Sequence, residues 1–269
     1  MLKHRVIAAL VLIPLVVLSV LYLPTAQFAL LLAVVVLLGA WEWVRLVPLA
    51  SPAARIGFAA AMGAVLMLAW LLRRLDGFPQ WLLLAAVVWW FCAAVWLARP
   101  QWGKGQPALK VAVSVLTLLP AWFALVLLHL QSPELVLYVL VVVWIADSGA
   151  YFAGRAWGSH RLAPAVSPGK TWEGVAGGMV GGALFAAGAG HFLGLSDMGL
   201  VQFVILGLVT IAVSIVGDLS ISLFKRQQGI KDSGHIIPGH GGILDRIDSL
   251  TAAAPVFAAG YEWLNLGSV

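Results

Sequence analysis

The chain has 269 residues, of which 62% are hydrophobic and 10% charged, with mean hydropathy +1.00 and a formal net charge of +5. A soluble domain carries about 25% charged residues, so this composition excludes an ordinary soluble enzyme and points to a polytopic membrane protein. The positive charge is read as the orienting charge of membrane loops, not as a nucleic-acid footprint, and the lone Cys92 excludes a disulfide framework.

Residues Lys3 and Arg5 precede an apolar run that reaches Leu23. A second run begins within three residues, so the first is expected to stay as a span and not to be removed as a signal peptide. Nine candidate transmembrane helices follow in chain order, at about 6–23, 26–44, 56–72, 80–98, 111–130, 134–154, 172–194, 199–221 and 250–266. Each is near the ~20 residues that cross a hydrocarbon core. The last is short and carries Glu262. Pro14, Pro120 and Pro255 fall inside spans, which neighbouring helices can tolerate. The expected fold is an all-α polytopic membrane protein. Residues 1–130 form five N-terminal spans, and residues 131–269 form a four-span catalytic part with loops 155–171 and 222–249.

With the N-terminus and the loops after spans two, four, six and eight on one side, that side holds every Lys and Arg except Arg73 and Arg74. The positive-inside rule makes it the cytoplasmic side of an inner or cytoplasmic membrane. Glu42, near the end of span two, is expected to pair with Arg45 one turn on. In span seven, Gly174, Gly178 and Gly182 recur every four residues beside Gly177 and Gly181. This spacing lets helix backbones approach closely. Packing within the chain is the first reading and a homodimer seam the second.

The chemistry concentrates in residues 214–249. Ser214, Asp218 and Ser222 share one face of span eight, and Lys225 and Arg226 continue it. Asp218 lies about 10 Å deeper than Lys225 at ~1.5 Å per residue. A carboxylate there needs a partner or a cation. Asp147 stands in the same relation to Arg155 in span six. Between them runs Ser167-Pro168-Gly169-Lys170-Thr171-Trp172-Glu173-Gly174. A phosphate-loop reading fails, because Pro164 occupies the first glycine position. Instead Ser167 or Thr171 can cap span seven with Glu173 in its first turn, and Lys170 adds charge to an anion-binding helix start. Asp245 and Asp248, three apart with Arg246 between, follow the glycines Gly239, Gly241 and Gly242 around His240. Carboxylates of this kind suit magnesium completed by substrate phosphates, whereas no cysteine supports a zinc site. Acids for a divalent cation and bases for phosphates, at lipid level, describe phosphoryl or nucleotidyl transfer to a membrane lipid.

The run from Ser222 to Asp248 contains Phe224-Lys225-Arg226, Lys231-Asp232-x-Gly234, Ile237-Pro238-x-His240-Gly241-Gly242 and Asp245-Arg246-x-Asp248. It resembles the signature of the phosphatidate cytidylyltransferases, or CDP-diacylglycerol synthases. Blocks 147–154 and 167–174 resemble the family's upstream motifs. The resemblance implies that CTP and phosphatidic acid give CDP-diacylglycerol and pyrophosphate with Mg2+, with a second metal or a monovalent ion left open. It implies catalytic roles for Asp218, Lys225, Arg226, Lys231, Asp232, His240 and Arg246. Ser167, Lys170, Thr171, Glu173, Ser222, Gly241 and Gly242 would contact substrate. Asp218, Asp245, Asp248 and Asp147 would serve metal. The active site is then expected at the cytoplasmic end of the C-terminal helices. Ser159 and Gly169 depart from the family pattern, where basic residues are common. Two other readings stay in view: a CTP-dependent lipid kinase of the dolichol kinase kind, and a transporter with buried acids.

Overall fold

The computed structural model describes residues 2–47, 51–234, 236 and 241–266, with the backbone alone at 2–9 and 11. Among the described residues the chain forms nine α-helices: α1 (Leu2–Tyr22), α2 (Thr25–Trp43), α3 (Pro52–Leu72), α4 (Phe78–Leu97), α5 (Pro107–Gln131), α6 (Pro133–Trp157), α7 (Trp172–Phe192), α8 (Asp197–Gln227) and α9 (Leu244–Trp263). Each coincides with an expected span to within a few residues. Seven of them, α2 to α8, are long and apolar enough to cross a membrane. The protein is an all-α, multi-pass membrane protein. Large apolar side chains such as Leu15, Trp81, Phe91 and Leu184 face outward, as a lipid-facing surface requires.

Two boundaries differ from expectation. The segment expected as a loop at 222–249 is helical at both ends, because α8 continues to Gln227 and α9 begins at Leu244, leaving 228–243 as the connection. Lys225 and Arg226 sit in the last turn of α8, where cations favour the helix dipole. Gly229, at φ 69°, then ends the helix as its own N–H bonds the Arg226 carbonyl and the Ile230 N–H bonds that of Lys225. The expected loop 155–171 starts later, since α6 runs to Trp157, and it contains an antiparallel hairpin of β1 (Arg161–Ala163) and β2 (Ser167–Thr171).

The least apolar helix turns out to be the central one. α9 packs against α2, α4, α5, α6 and α8. Ala252, Ala253, Ala254, Phe257 and Ala259 are fully buried. Its weak hydropathy follows: it is surrounded by protein, so small residues suit it better than lipid-facing leucines. Pro255 lies inside this buried helix.

α6 and α7 make the closest pair in the bundle. A Cβ added at Gly174, Gly177 or Gly178 would sit 2.8 Å from the carbonyl oxygens of Ala150, Gly149 and Ala146 respectively. Gly182 packs on Ile211 of α8. The glycine face of span seven is therefore spent inside the chain. This backbone contact brings Asp147 of α6 beside the residues that lead into α7.

Gly178→Leu is expected to force α6 from α7 and destabilise the protein, because overpacking costs about 1–3 kcal/mol or more where backbone must move. Gly188→Ala, where an added Cβ meets nothing within 4 Å, should leave stability unchanged. Apparent melting temperatures of the detergent-purified variants check both.

Candidate active site

The connections after α2, α4, α6 and α8 gather at one end of the bundle. Gln227 Nε2 donates to the carbonyls of Pro100 and Trp102, both at 2.8 Å, joining α8 to the α4–α5 connection. Arg226 Nε donates to the Val166 carbonyl (3.3 Å) and ties α8 to the hairpin. Arg45 Nη1 donates to the Ser233 carbonyl (2.9 Å) and ties the end of α2 to the α8–α9 connection.

The hairpin delivers Lys170. Its two strands are tied by Arg161 Nη1 donating to the Pro168 carbonyl (2.7 Å). Its far strand ends in Thr171, whose hydroxyl accepts from the Gly174 N–H (3.1 Å) and caps α7. Thr171 is thus the cap, while Ser167 pairs with Ala163 at the start of β2. Glu173 does not close on its own helix start. It accepts from the Ser159 hydroxyl (2.8 Å) and the His160 N–H (3.2 Å), and its carboxylate meets His160 Nδ1 at 2.7 Å. Ser159 thereby contributes a hydroxyl bond to this carboxylate. At Gly169 an added Cβ would face open space.

Lys170 Nζ lies 2.6 Å from Asp218 Oδ2. Ser222, one turn on, donates to Asp218 Oδ1 at 3.3 Å. Asp147 lies within electrostatic reach of both Lys170 and Asp218. On the other side Asp248 is 9% exposed and lies in the field of Asp218, Lys225 and Lys170. The approach of α9 to α8 that permits this runs through Gly217, where a Cβ would sit 2.7 Å from the Asp248 carbonyl oxygen. Among described protein donors, the Asp248 carboxylate accepts from the Ser249 N–H (2.8 Å).

Asp245 is placed differently. Its Oδ1 takes Lys225 Nζ at 2.6 Å, and its Oδ2 takes the N–H groups of Ser233 (2.9 Å) and Gly242 (3.1 Å). Oδ1 thus faces the end of α8, and Oδ2 holds the α8–α9 connection. Lys231 and Asp232 are exposed on that connection, and Arg246 is exposed on α9. Gly241 sits at φ 81°, where an added Cβ would stand 3.1 Å from Asp245 Oδ2. His240, with His235, Pro238 and Gly239, lies outside the described residues.

A cleft of about 360 Å³ opens between α6, the hairpin, α7 and α8. Asp147, Tyr151, Arg155, Lys170, Thr171 and Ser214 supply its polar wall, and Leu162, Ile211 and Ile215 its apolar wall. One charged end and one apolar flank suit an anionic lipid. Tyr151 and Arg155 were not singled out for a role from sequence. They lie one and two turns beyond Asp147 on α6, a helical spacing that places all three on one face.

The expected Glu42–Arg45 pair does not form. Glu42 instead accepts from the Ser233 hydroxyl (3.0 Å) and the Leu244 N–H (2.8 Å), while Arg45 takes the Ser233 carbonyl. The buried start of α9 offers Glu42 an unpaired helix N–H, a better partner than a guanidinium turned to the loop.

Among the described residues no three His, Cys, Asp or Glu side chains converge as a protein-only metal cage would. What is present is a pair of carboxylates, Asp218 and Asp248, on adjacent helices, with Asp147 nearby. That donor set fits magnesium, which binds one or two carboxylates and fills its remaining positions with waters and substrate phosphates.

A family model described as the cytidylyltransferase family matches residues 3–264. The chain belongs to that family. It is 47% identical over 267 residues to a phosphatidate cytidylyltransferase of Pseudomonas aeruginosa, with 96% of each chain covered. It is 41% identical over 286 positions to a phosphatidate cytidylyltransferase of Haemophilus influenzae, covering 97% of this chain and 99% of the relative. A third relative of the same name, from Staphylococcus haemolyticus, is 47% identical over 124 residues, 45% of this chain.

Asp218→Asn keeps the side chain's size and removes the charge that Lys170 faces. Cytidylyl transfer is expected to fall by at least ~100-fold, the scale of losing a major electrostatic contributor. The protein should elute as wild type in detergent. Near-normal turnover would make Asp218 a structural partner only.

Proposed function

We propose that this protein transfers the cytidylyl group of CTP to phosphatidic acid, giving CDP-diacylglycerol and pyrophosphate for phospholipid synthesis. The observation that carries the reading is the Lys170–Asp218 pair at the charged end of a cleft whose other wall is apolar. The relatives' names agree with it and do not favour the lipid kinase or the transporter.

The chemistry asks little of a protein base. The second pKa of a phosphate monoester is about 6, so phosphatidate is largely a dianion at neutral pH. One of its oxygens attacks the α-phosphorus of CTP, the bond from that phosphorus to the bridging oxygen breaks, and pyrophosphate leaves. The difficulty is to bring two anions together in line. Lys170, at the cleft, would screen the phosphatidate headgroup once it exchanges Asp218 for phosphate. Lys225, Arg226 and Arg246, at the facing ends of α8 and α9, with Lys231 on the connection between them, would take the triphosphate and the leaving pyrophosphate. Ser222, Thr171, Gly241 and Gly242 would add neutral donors, and His240 a further one. Ser167 and Glu173 would act through the hairpin they build.

Asp218 and Asp248 would hold magnesium, with Asp147 assisting and Asp245 joining once its bonds to the connection open. When bound, magnesium neutralises phosphate charge and polarises the α-phosphate. Asp232, exposed beside Gly241, would assist from outside the pair. The N-terminal helices would act as a scaffold, with α9 packed on α2, α4 and α5. The basic end of the bundle would face the cytoplasm, where CTP is available, because it carries Arg45, Arg99, Lys170, Lys225 and Arg226 while Arg73 and Arg74 lie at the other end.

Purified protein given α-labelled CTP, phosphatidic acid and magnesium should place label in the lipid. Free labelled CDP with a newly phosphorylated lipid would instead make it a kinase. In the same assay Asp248→Asn should raise the magnesium concentration for half-maximal rate, and manganese should recover part of the activity. Arg246→Lys, which loses bidentate phosphate geometry, should change the CTP dependence and leave the magnesium dependence alone. An Asp248→Asn enzyme that is slow at unchanged metal dependence would refute the metal assignment.

A further inference from the structure

Glu42 is the first acidic residue of the chain, lies in the second span, and is 2% exposed. Its carboxylate leaves α2 and enters the far end of the molecule's sequence. There Oε2 accepts from the Ser233 hydroxyl and from the N–H of Leu244, the first residue of α9. Two glycines make room for it. A Cβ at Gly234 would strike Glu42 Oε1, and a Cβ at Gly242 would strike Oε2. Arg45, three residues along, adds the bond to the Ser233 carbonyl. From the opposite side Asp245 takes the Ser233 and Gly242 N–H groups. The connection between α8 and α9 is thus gripped on one flank by α2 and on the other by α9 itself.

We propose that Glu42 is a positioning residue for the transfer reaction, setting where α9 begins and therefore where Asp245 and Asp248 stand. The physical reason is local. α9 has no side-chain cap of its own, since Ile243 precedes it. The buried first N–H groups of a helix need acceptors. An anion at that point also matches the positive end of the helix dipole. Glu42 supplies both from a distant element, so the register of α9's first turn is tied to α2. Asp245 is one residue and Asp248 four residues beyond the N–H that Glu42 holds. Arg45 shares the task by fixing Ser233, the residue whose hydroxyl and N–H link Glu42 to Asp245.

This inference rests on the proposed cytidylyl transfer, so the test pairs kinetics with a readout that does not depend on it. Glu42→Ala and Glu42→Gln are compared with wild type by hydrogen exchange over residues 241–250 and by the dependence of rate on CTP, phosphatidic acid and magnesium. Glu42→Ala should exchange faster over 241–250, with α6 and α7 unchanged. Its kcat should fall about 10–100-fold, the effect of a misplacement near 1 Å, and its half-saturating magnesium should rise while KM for phosphatidic acid holds. Glu42→Gln retains an oxygen for the Leu244 N–H and should recover most of both. A folded Glu42→Ala protein with wild-type kinetics, or with lowered rate and unchanged exchange, overturns the proposal. If Glu42→Ala does not fold, Ser233→Ala decides it: removing that hydroxyl alone should move exchange and half-saturating magnesium in the same direction by less, and no movement overturns it. A wild type that makes no CDP-diacylglycerol would sink the functional reading, and the exchange comparison would still judge the role of Glu42 at α9.

Discussion

Carboxylates at lipid level are what the rest of this structure has to accommodate. An ionised acid among apolar helices is unfavourable by several kcal/mol unless a cation or a set of donors faces it. Asp147 and Asp248 each lie within the electrostatic influence of Asp218, and the three stand on three different helices. Two lysines answer them. Lys170 reaches Asp218 directly, and Lys225 is held beside them by Asp245. Breaking either pair would leave an uncompensated charge, which is far worse than never having placed it there. The same instability is what a catalytic site can use, because a metal ion and the phosphates of two substrates can replace the protein's internal ion pairs.

Such an arrangement requires helices that approach more closely than leucine side chains allow. Gly149, Gly177 and Gly178 bring α6 to α7, and Gly217 brings α8 to α9. The two contacts converge because α7 also packs on α8. The hairpin then works as a short arm. Its base is pinned by Glu173 on Ser159 and His160, its two strands by Arg161 on Pro168, and its turn by Arg226 on Val166, so Lys170 is presented at a fixed place. The chain therefore uses main-chain packing for position and side-chain ionic contacts for charge.

Much of this was legible in the sequence because it depends on local pattern. Hydropathy located the helices, including α9, although that α9 is buried by protein on all sides shows only once its neighbours are placed. The four-residue spacing of Gly174, Gly178 and Gly182 announced the close seam, and Asp147 and Asp218 stood out as acids in apolar runs. What could not be read depends on contacts between distant residues. Nothing near Glu42 indicates Ser233 or Leu244, and Arg45 was the only visible local partner. The strands at 161–163 and 167–171 are too short to show alternation, and the second carries Pro168 and Gly169. The engagement of Asp245 by Lys225 was hidden for a different reason: three acids with similar neighbours look alike until the helix ends are placed.

The central claim is that Asp218 and Asp248, brought together across Gly217, form one cation site completed by nucleotide phosphate. Manganese binding to the purified protein, followed by electron paramagnetic resonance with and without CTP, tests it without turnover. The account predicts that CTP strengthens manganese binding to the wild type and that either Asp218→Asn or Asp248→Asn abolishes the strengthening. Manganese bound equally well, with and without CTP, by a folded double Asn variant would contradict it.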